Sequence, residues 1–227
     1  DGSGSNGRLQ NSTDDLLRWN IQHVLNYNKT INDKHSLGVM VAAEFQKERN
    51  ENIFSVGTDL LNEFYNQITV SNAYSVQQSG GGASEVGIMS YLGRLNYNFD
   101  QRYFGQLSVR RDGISKLSPA NRWNNFVGYS LGWNLANESF MTGVKDIFSQ
   151  IKLRYSFSSV GNTEIGTYPY LGLASASPYG TQNGNAFSQF GNDALTWETS
   201  NKTDFGVDLT TLNDRLKISF DYFKNDI

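Results

Sequence analysis

Cysteine is absent from this chain. Disulfides and thiolate chemistry are therefore excluded, and sulfur gives no clue to the compartment. Only 3 prolines interrupt its 227 residues, so long uninterrupted strands are permitted. No run reaches the roughly 18 consecutive apolar residues that a membrane-crossing helix requires. The 19 basic residues are scattered among 22 acidic ones. They make no electrostatic stripe of the kind nucleic acid demands. His23 and His35 fall on different expected strands with no cysteine to assist them, which makes no zinc site. Neither a nucleophile elbow nor a phosphate-binding glycine loop is found. Asp14, Asp15 and Asp59 read as isolated, solvated carboxylates. The sequence therefore offers no catalytic residue, no metal ligand and no cofactor site, and the chain is not expected to be an enzyme.

What is plentiful is glycine (22), phenylalanine (14), tyrosine (12) and tryptophan (4), in a chain that is only 38% apolar. Disorder is usually poor in aromatics, so this balance suits a sheet with one apolar and one polar face. Period-2 alternation is the dominant signal. Over 123–136, Val127, Tyr129, Leu131, Trp133 and Leu135 oppose Phe126, Gly128, Ser130, Gly132 and Asn134. Ile151, Leu153, Tyr155 and Phe157 oppose Lys152, Arg154, Ser156 and Ser158, and two further runs follow across 202–209 and 216–222. Residues 18–28, 35–46, 87–99 and 102–112 repeat the scheme, with Leu92 misplaced on the polar side of 87–99.

These runs predict about eight strands of roughly ten residues, a length that suits a tilted membrane crossing. Short links at 29–33, 100–101 and 211–213 alternate with long ones at about 47–86, 113–122 and 159–200; the link at 137–148 is intermediate. Gln77–Ser84 reads as a flexible stretch within the first long loop. Unequal loops of this kind belong to outer-membrane barrels, with the long loops outside the cell. Trp19, Tyr27, Tyr97, Tyr103, Trp123 and Trp197, close to strand ends, fit interfacial aromatic girdles. The expected fold is all-β: an incomplete antiparallel transmembrane β-barrel in a bacterial outer membrane. Both ends, Asp1–Gly7 and Phe220–Ile227, read as cut. The alternative is a non-transporting surface barrel, or a β-sandwich binding or adhesion module.

A series of short motifs also runs along the chain. Arg102-Tyr103 is followed by Arg110-Arg111-Asp112-Gly113, then by Ser130-Leu131-Gly132-Trp133 and Asn137-Glu138-Ser139-Phe140. Leu153-Arg154-Tyr155-Ser156, Val160-Gly161-Asn162, Tyr168-Pro169-Tyr170 and Leu195-Thr196-Trp197-Glu198-Thr199 continue the order. In this order they resemble the SusC/RagA-type TonB-linked proteins of Bacteroidetes. The sequence departs from the pattern at Ile114-Ser115-Lys116-Leu117 and has none over Leu173–Asn192. The resemblance implies a section, 1–227, of a roughly 22-stranded barrel domain whose plug lies elsewhere. It implies import of glycans, peptides or other large nutrients, a SusD-like surface lipoprotein as partner, TonB as the energy source, and outer-membrane lipid around the wall.

Candidate contacts to substrate or partner are Tyr168, Tyr170, Trp197 and Glu198; the last two could equally clamp the root of a loop. Arg110 and Asp112 share one face of a strand, and with Arg154 and Asp204 they are expected to form a network along the lumen or at loop roots. Lys152, Lys202 and Asp208 are placed on that inner face as well, because charge is cheap in a wet interior and costs about 2–4 kcal/mol at lipid mid-depth.

Overall fold

The computed structural model describes residues 7–60, 77–144, 147–166, 168–177, 180 and 182–227. The turn-rich start (1–6) and the middle of the first expected loop (61–76) lie outside them. The strands are β1 (Arg8–Ile31), β2 (His35–Thr58), β3 (Gln77–Phe99), β4 (Tyr103–Ile114), β5 (Trp123–Asn134), β6 (Phe148–Asn162), β7 (Leu173–Ala176), β8 (Asn185–Gln189), β9 (Glu198–Thr211) and β10 (Leu216–Asp226). Two short 3-10 turns, Leu135–Asn137 and Ser139–Val144, follow β5.

Eight of these strands form one sheet in the order β1-β2-β3-β4-β5-β6-β9-β10, and β7 pairs with β8 in a separate two-stranded sheet. The expectation of an incomplete transmembrane barrel is corrected here: the ten described strands lie in two unclosed sheets, with β1 and β10 as free edges of the larger one. The expected placement as a multi-pass barrel in a bacterial outer membrane falls with it, because closure alone removes the unpaired backbone of an edge. Alternation along each strand specifies two faces, but closure is a pairing between the first and last strands and leaves no trace in any one of them. Among the described residues no helix is long and apolar enough to cross a membrane, which bears on helices only.

The tight hairpins follow from local chemistry. Asn32 and Asp33, Asp100 and Gln101, and Leu212, Asn213 and Asp214 all take positive φ, between 50° and 66°. Asn and Asp tolerate that region, and it gives the turn a twist that matches the flanking strands. The first two strands run well past their expected ends, and Gln77–Ser84, read as flexible, belongs to β3.

The chain divides into two compact units. The first comprises Asp1–Asn20 and Gln46–Gly87. Within it Lys47 pairs with Glu85 at 2.9 Å, Asn52 donates to Asp14 at 2.8 Å, and Arg18 pairs with Glu48. The second unit, Ile21–Phe45 with Ile88–Ile227, contains every candidate residue. Its register aligns Tyr97, Gly105, Leu131, Tyr155, Phe205 and Tyr222 across six strands, and this face is apolar and exposed, Leu131 at 60%. The opposite face aligns Asn96, Gln106, Ser130, Ser156 and Asp204. Aromatic rings ladder along the apolar face: Tyr91 on Trp123, and Phe99 on Tyr103 on Trp133, with centroids 6.2–6.3 Å apart.

Candidate functional site

The polar face of the second unit holds a cavity of about 550 Å³ that spans strands from β1 to β9. Asn28, Asn96 and Gln106 offer carboxamides to it, Phe104 a ring, and Lys152 and Arg154 positive charge.

Arg154 organises the ionic part. Its guanidinium donates to both carboxylate oxygens of Asp208, at 2.7 and 3.0 Å, and to Asp221 at 2.8 Å. The register sets Arg154 beside Gly206 and Gly206 beside Asp221, so the guanidinium crosses β9 where there is no side chain. A Cβ at Gly206 would sit 2.7 Å from the Arg154 Cζ. Ser219 donates to Asp208 at 2.9 Å and Ser156 to Asp204 at 3.1 Å, tying β6, β9 and β10 together. Lys152 leans over the Phe104 ring at 4.5 Å.

This network gives a pH prediction. The hydrogen bonds from Arg154 hold the Asp208 carboxyl below the usual carboxylate range; burial opposes them, while Ser219 and nearby positive charge add to them. A depressed folded-state pKa gives a contribution that is fully present above the unfolded value near pH 4 and is lost as pH falls through the depressed value. The urea midpoints of the protein and of Asp208→Asn should differ by a constant amount above about pH 4 and converge below it. A gap that persists to about pH 2 would reject this account.

Arg110 and Asp112 form a second, local pair, with Arg110 Nε donating to both carboxylate oxygens at 2.7 and 2.8 Å and Nη2 to the buried Ser90 at 3.0 Å. A third cluster joins two separated motifs at the start of β4 and the end of β5. Glu138 accepts from the Trp133 indole at 2.9 Å and from Arg102 at 3.5 Å, and the Arg102 guanidinium lies 5.2 Å from the Phe99 ring. The Tyr103 hydroxyl first, then Trp133, hold the Glu138 carboxyl below its ordinary range.

At the other end of the polar face, loop segments fold back over the strands. Leu117 is fully buried, Ile114 and Ser118 nearly so, and Ser118 and Asn121 both donate to the Asp193 carbonyl, at 3.1 and 2.8 Å. The Trp197 indole donates to the Arg122 carbonyl at 3.1 Å and meets Phe126 edge-on at 5.4 Å. Gly161 lies beneath both rings, where a Cβ would be 2.6 Å from Phe126 Cε1 and 2.7 Å from Trp197 Cε3. Glu198 opens β9 and accepts from Asn162 at 2.9 Å, while the Asn162 side-chain oxygen caps the Glu164 amide.

No family model matches the chain. One TonB-dependent receptor of Formosa agariphila is 30% identical over 203 residues, 89% of this chain and 20% of that receptor. A second from the same organism is 31% identical over 206 residues, 89% and 20% of the respective chains. The TonB-dependent receptor SusC of Bacteroides thetaiotaomicron is 34% identical over 150 residues, 60% of this chain and 14% of SusC. Homology ties this chain to the SusC/RagA family of TonB-dependent receptors. It spans about a fifth of the length of the Formosa relatives. The fold is similar to part of the RagAB peptide transporter, with a TM-score of 0.82 and 23% identity over 94% of this chain and 24% of that one. The closed-closed state of the RagAB peptide importer gives 0.83 over 95% and 24%.

The family is one of transporters rather than catalysts, and the chain is not an enzyme. Of the residues singled out in the sequence, the structure brings Arg154 and Asp204 to one face but pairs Arg154 with Asp208 and Asp221 instead. Arg110 and Asp112 stay with each other, three strands from Asp208 in the sheet order. Tyr168 and Tyr170 meet edge-to-face at 6.3 Å. Glu138 and Phe126 were missed as organising residues. Phe126 carried a signal, since a large apolar residue on a polar face needs a cover.

Proposed function

We propose that this chain is a section of a TonB-dependent importer for glycans or other large nutrients, working beside a SusD-like lipoprotein. The observation that carries the reading is the cavity across β1 to β9, where carboxamides and charge stand beside Leu37, Phe104 and Leu131, in a chain tied by homology to TonB-dependent receptors. Such a mixed lining offers exchangeable hydrogen bonds next to apolar surface, which suits the passage of a cargo with both polar and apolar faces. In this reading Arg154, Asp204, Arg110 and Asp112 keep the passage face polar and rigid. Trp197 and Glu198 hold a loop root there, and Tyr168 and Tyr170 present rings to cargo or partner. TonB supplies the energy.

The test is uptake of a labelled oligosaccharide and peptide pool by host cells with the gene intact, with it deleted, and with TonB or the adjacent lipoprotein removed. Each deletion should cut accumulation of at least one pool component by about tenfold or more. Unchanged uptake of every component without the gene would sink the importer reading. Retained uptake with lost surface binding would favour a binding or adhesion module, the reading that the open sheet supports.

A further inference from the structure

From Ile165 to Asn192 the chain carries no Asp, Glu, Lys, Arg or His, although charged residues make up 18% of the whole. This stretch includes the β7–β8 ribbon, in which every described position except Gln189 is exposed. A two-stranded ribbon without a core is marginal by itself. Here its base is fastened. The Gln189 carboxamide donates to the Leu171 carbonyl at 2.8 Å and to the Tyr168 carbonyl at 3.2 Å. Gly191 passes so close to the other limb that a Cβ would lie 2.6 Å from the Gly172 nitrogen and 2.7 Å from the Tyr170 carbonyl.

The fastened arm presents two large rings. Phe187 is 74% exposed and Phe190 83%, and they stack on each other with centroids 5.6 Å apart and planes 26° apart. The pairing register shifts between Leu173 and Ala174, opposite Gln189 and Phe187, so that Ser188 is the extra residue of a bulge between the two strands. Neither ring helps a core, since both lie in the open. Around them stand Asn185 and Ser188, with Tyr168 and Tyr170 beyond the clamp.

Stiff aromatic plates set among Ser, Gly, Asn and Gln are the chemistry of recognition loops, giving contact area at small entropic cost beside adaptable hydrogen-bonding groups. The absence of charge narrows the ligand. Within the stretch itself an acidic or basic partner would find no opposite charge to pair with when desolvated; Lys116, which donates to the Ile165 carbonyl at 3.0 Å, and Asp193 stand at its base. A pyranose ring offers what the arm lacks and needs: a C–H face for the electron-rich face of an aromatic ring, and hydroxyls on its edge.

We propose that the clamped β8 limb of this ribbon, Asn185–Gly191, is a recognition site for an uncharged oligosaccharide, with Phe187 and Phe190 as its stacking plate. This rests on the importer reading and deepens it by naming where and on what chemistry the cargo is recognised. The experiment uses the protein purified whole from its host on a printed array of neutral and acidic oligosaccharides with a random octapeptide pool, and then titrates the best binder. Neutral oligosaccharides should dominate, and Phe187→Ala with Phe190→Ala should weaken the best of them about tenfold or more. The paired Phe→Tyr variant should retain affinity, and raising salt from about 0.05 to 0.5 M should leave it unchanged. Both rings are solvent-exposed, so the substitutions leave the clamp intact, and circular dichroism checks this.

A blank array, binders that are all acidic glycans or peptides, or an alanine pair that binds as before would each overturn the inference. Uptake in the same variants separates the two ideas. Unaltered binding by the alanine pair, with uptake intact, removes only the arm. Binding that depends on the rings, without any uptake by the intact protein, removes the importer and leaves the arm standing.

Discussion

Truncation of Phe126 to alanine should destabilise the second unit by about 3 kcal/mol and release the loops at the end of its polar face. Phe126 is only 6% exposed, although it projects from the same side of β5 as Gly128 and Ser130. Its burial comes from Trp197, whose ring meets it edge-on, and from Gly161, which is flush enough to receive both rings. Removing the phenyl ring loses its transfer free energy and leaves a void that the two flanking loops can only partly fill. The Trp197 indole would then hold the Arg122 carbonyl with nothing behind it. Urea unfolding followed by tryptophan fluorescence measures the stability loss. Limited proteolysis should cut between Ser115 and Arg122 in the variant well before the parent. Gly161→Val should have the same sign by the opposite cause, since its side chain would occupy the space of the rings. A Phe126→Ala protein as stable and protease-resistant as the parent would show that the loops are held by Ser118, Asn121 and Asp193 alone.

Gly206→Val should cost about 2–3 kcal/mol at this buried strand position. The reason is the path of the Arg154 guanidinium, which crosses β9 over this glycine to reach Asp221. A valine side chain would push the guanidinium away from both Asp208 and Asp221, leaving two carboxylates on adjacent strands with their shared cation displaced. Arg154 is partly exposed, so most of the penalty is steric and the lost pairing contributes modestly. The mechanism sets a sharper expectation: in an Arg154→Ala background Gly206→Val should cost clearly less, because only the Asp221 carboxylate, 2.5 Å from the added Cβ, remains to be displaced. A double-mutant cycle on urea midpoints measures this. Additive costs would mean that Gly206 matters for its backbone rather than for the arginine above it.

The two faces were legible at nearly every position. Lys152, Arg154, Lys202, Asp204 and Asp208 share one side of the sheet in the observed register, as their spacing demands, and the turns Asp100-Gln101 and Asn213-Asp214 fall where short links were expected. Leu92 and Phe126, two of the apolar residues on the polar side, stand in one register row on either side of Arg110. Phe126 marks where loop segments cover the polar face. What could not be read was which charge meets which. Arg154 and Asp221 are 67 positions apart in sequence and meet only because β9 lies between their strands with a glycine at the crossing. Glu138 could not be read either, because its partners Arg102 and Trp133 reach it from the ends of two strands. The uncharged stretch at Leu173–Asn192 gave no pattern because its ribbon is exposed on both faces, so no buried side imposed a period.

The sequence by itself determined what each residue can see: a two-residue period divides a strand into an apolar and a polar side, and Asn, Asp and Gly choose the turns through steric limits on φ. Both are local properties, fixed within a few residues. The tertiary structure alone decided that the sheet stays open at β1 and β10, that Arg154 is shared between Asp208 and Asp221, and that Phe187 and Phe190 stand clear of any core on a clamped arm. Those outcomes depend on which strand lies beside which and on what covers a face, and such long-range pairings are settled by the packing of the whole chain.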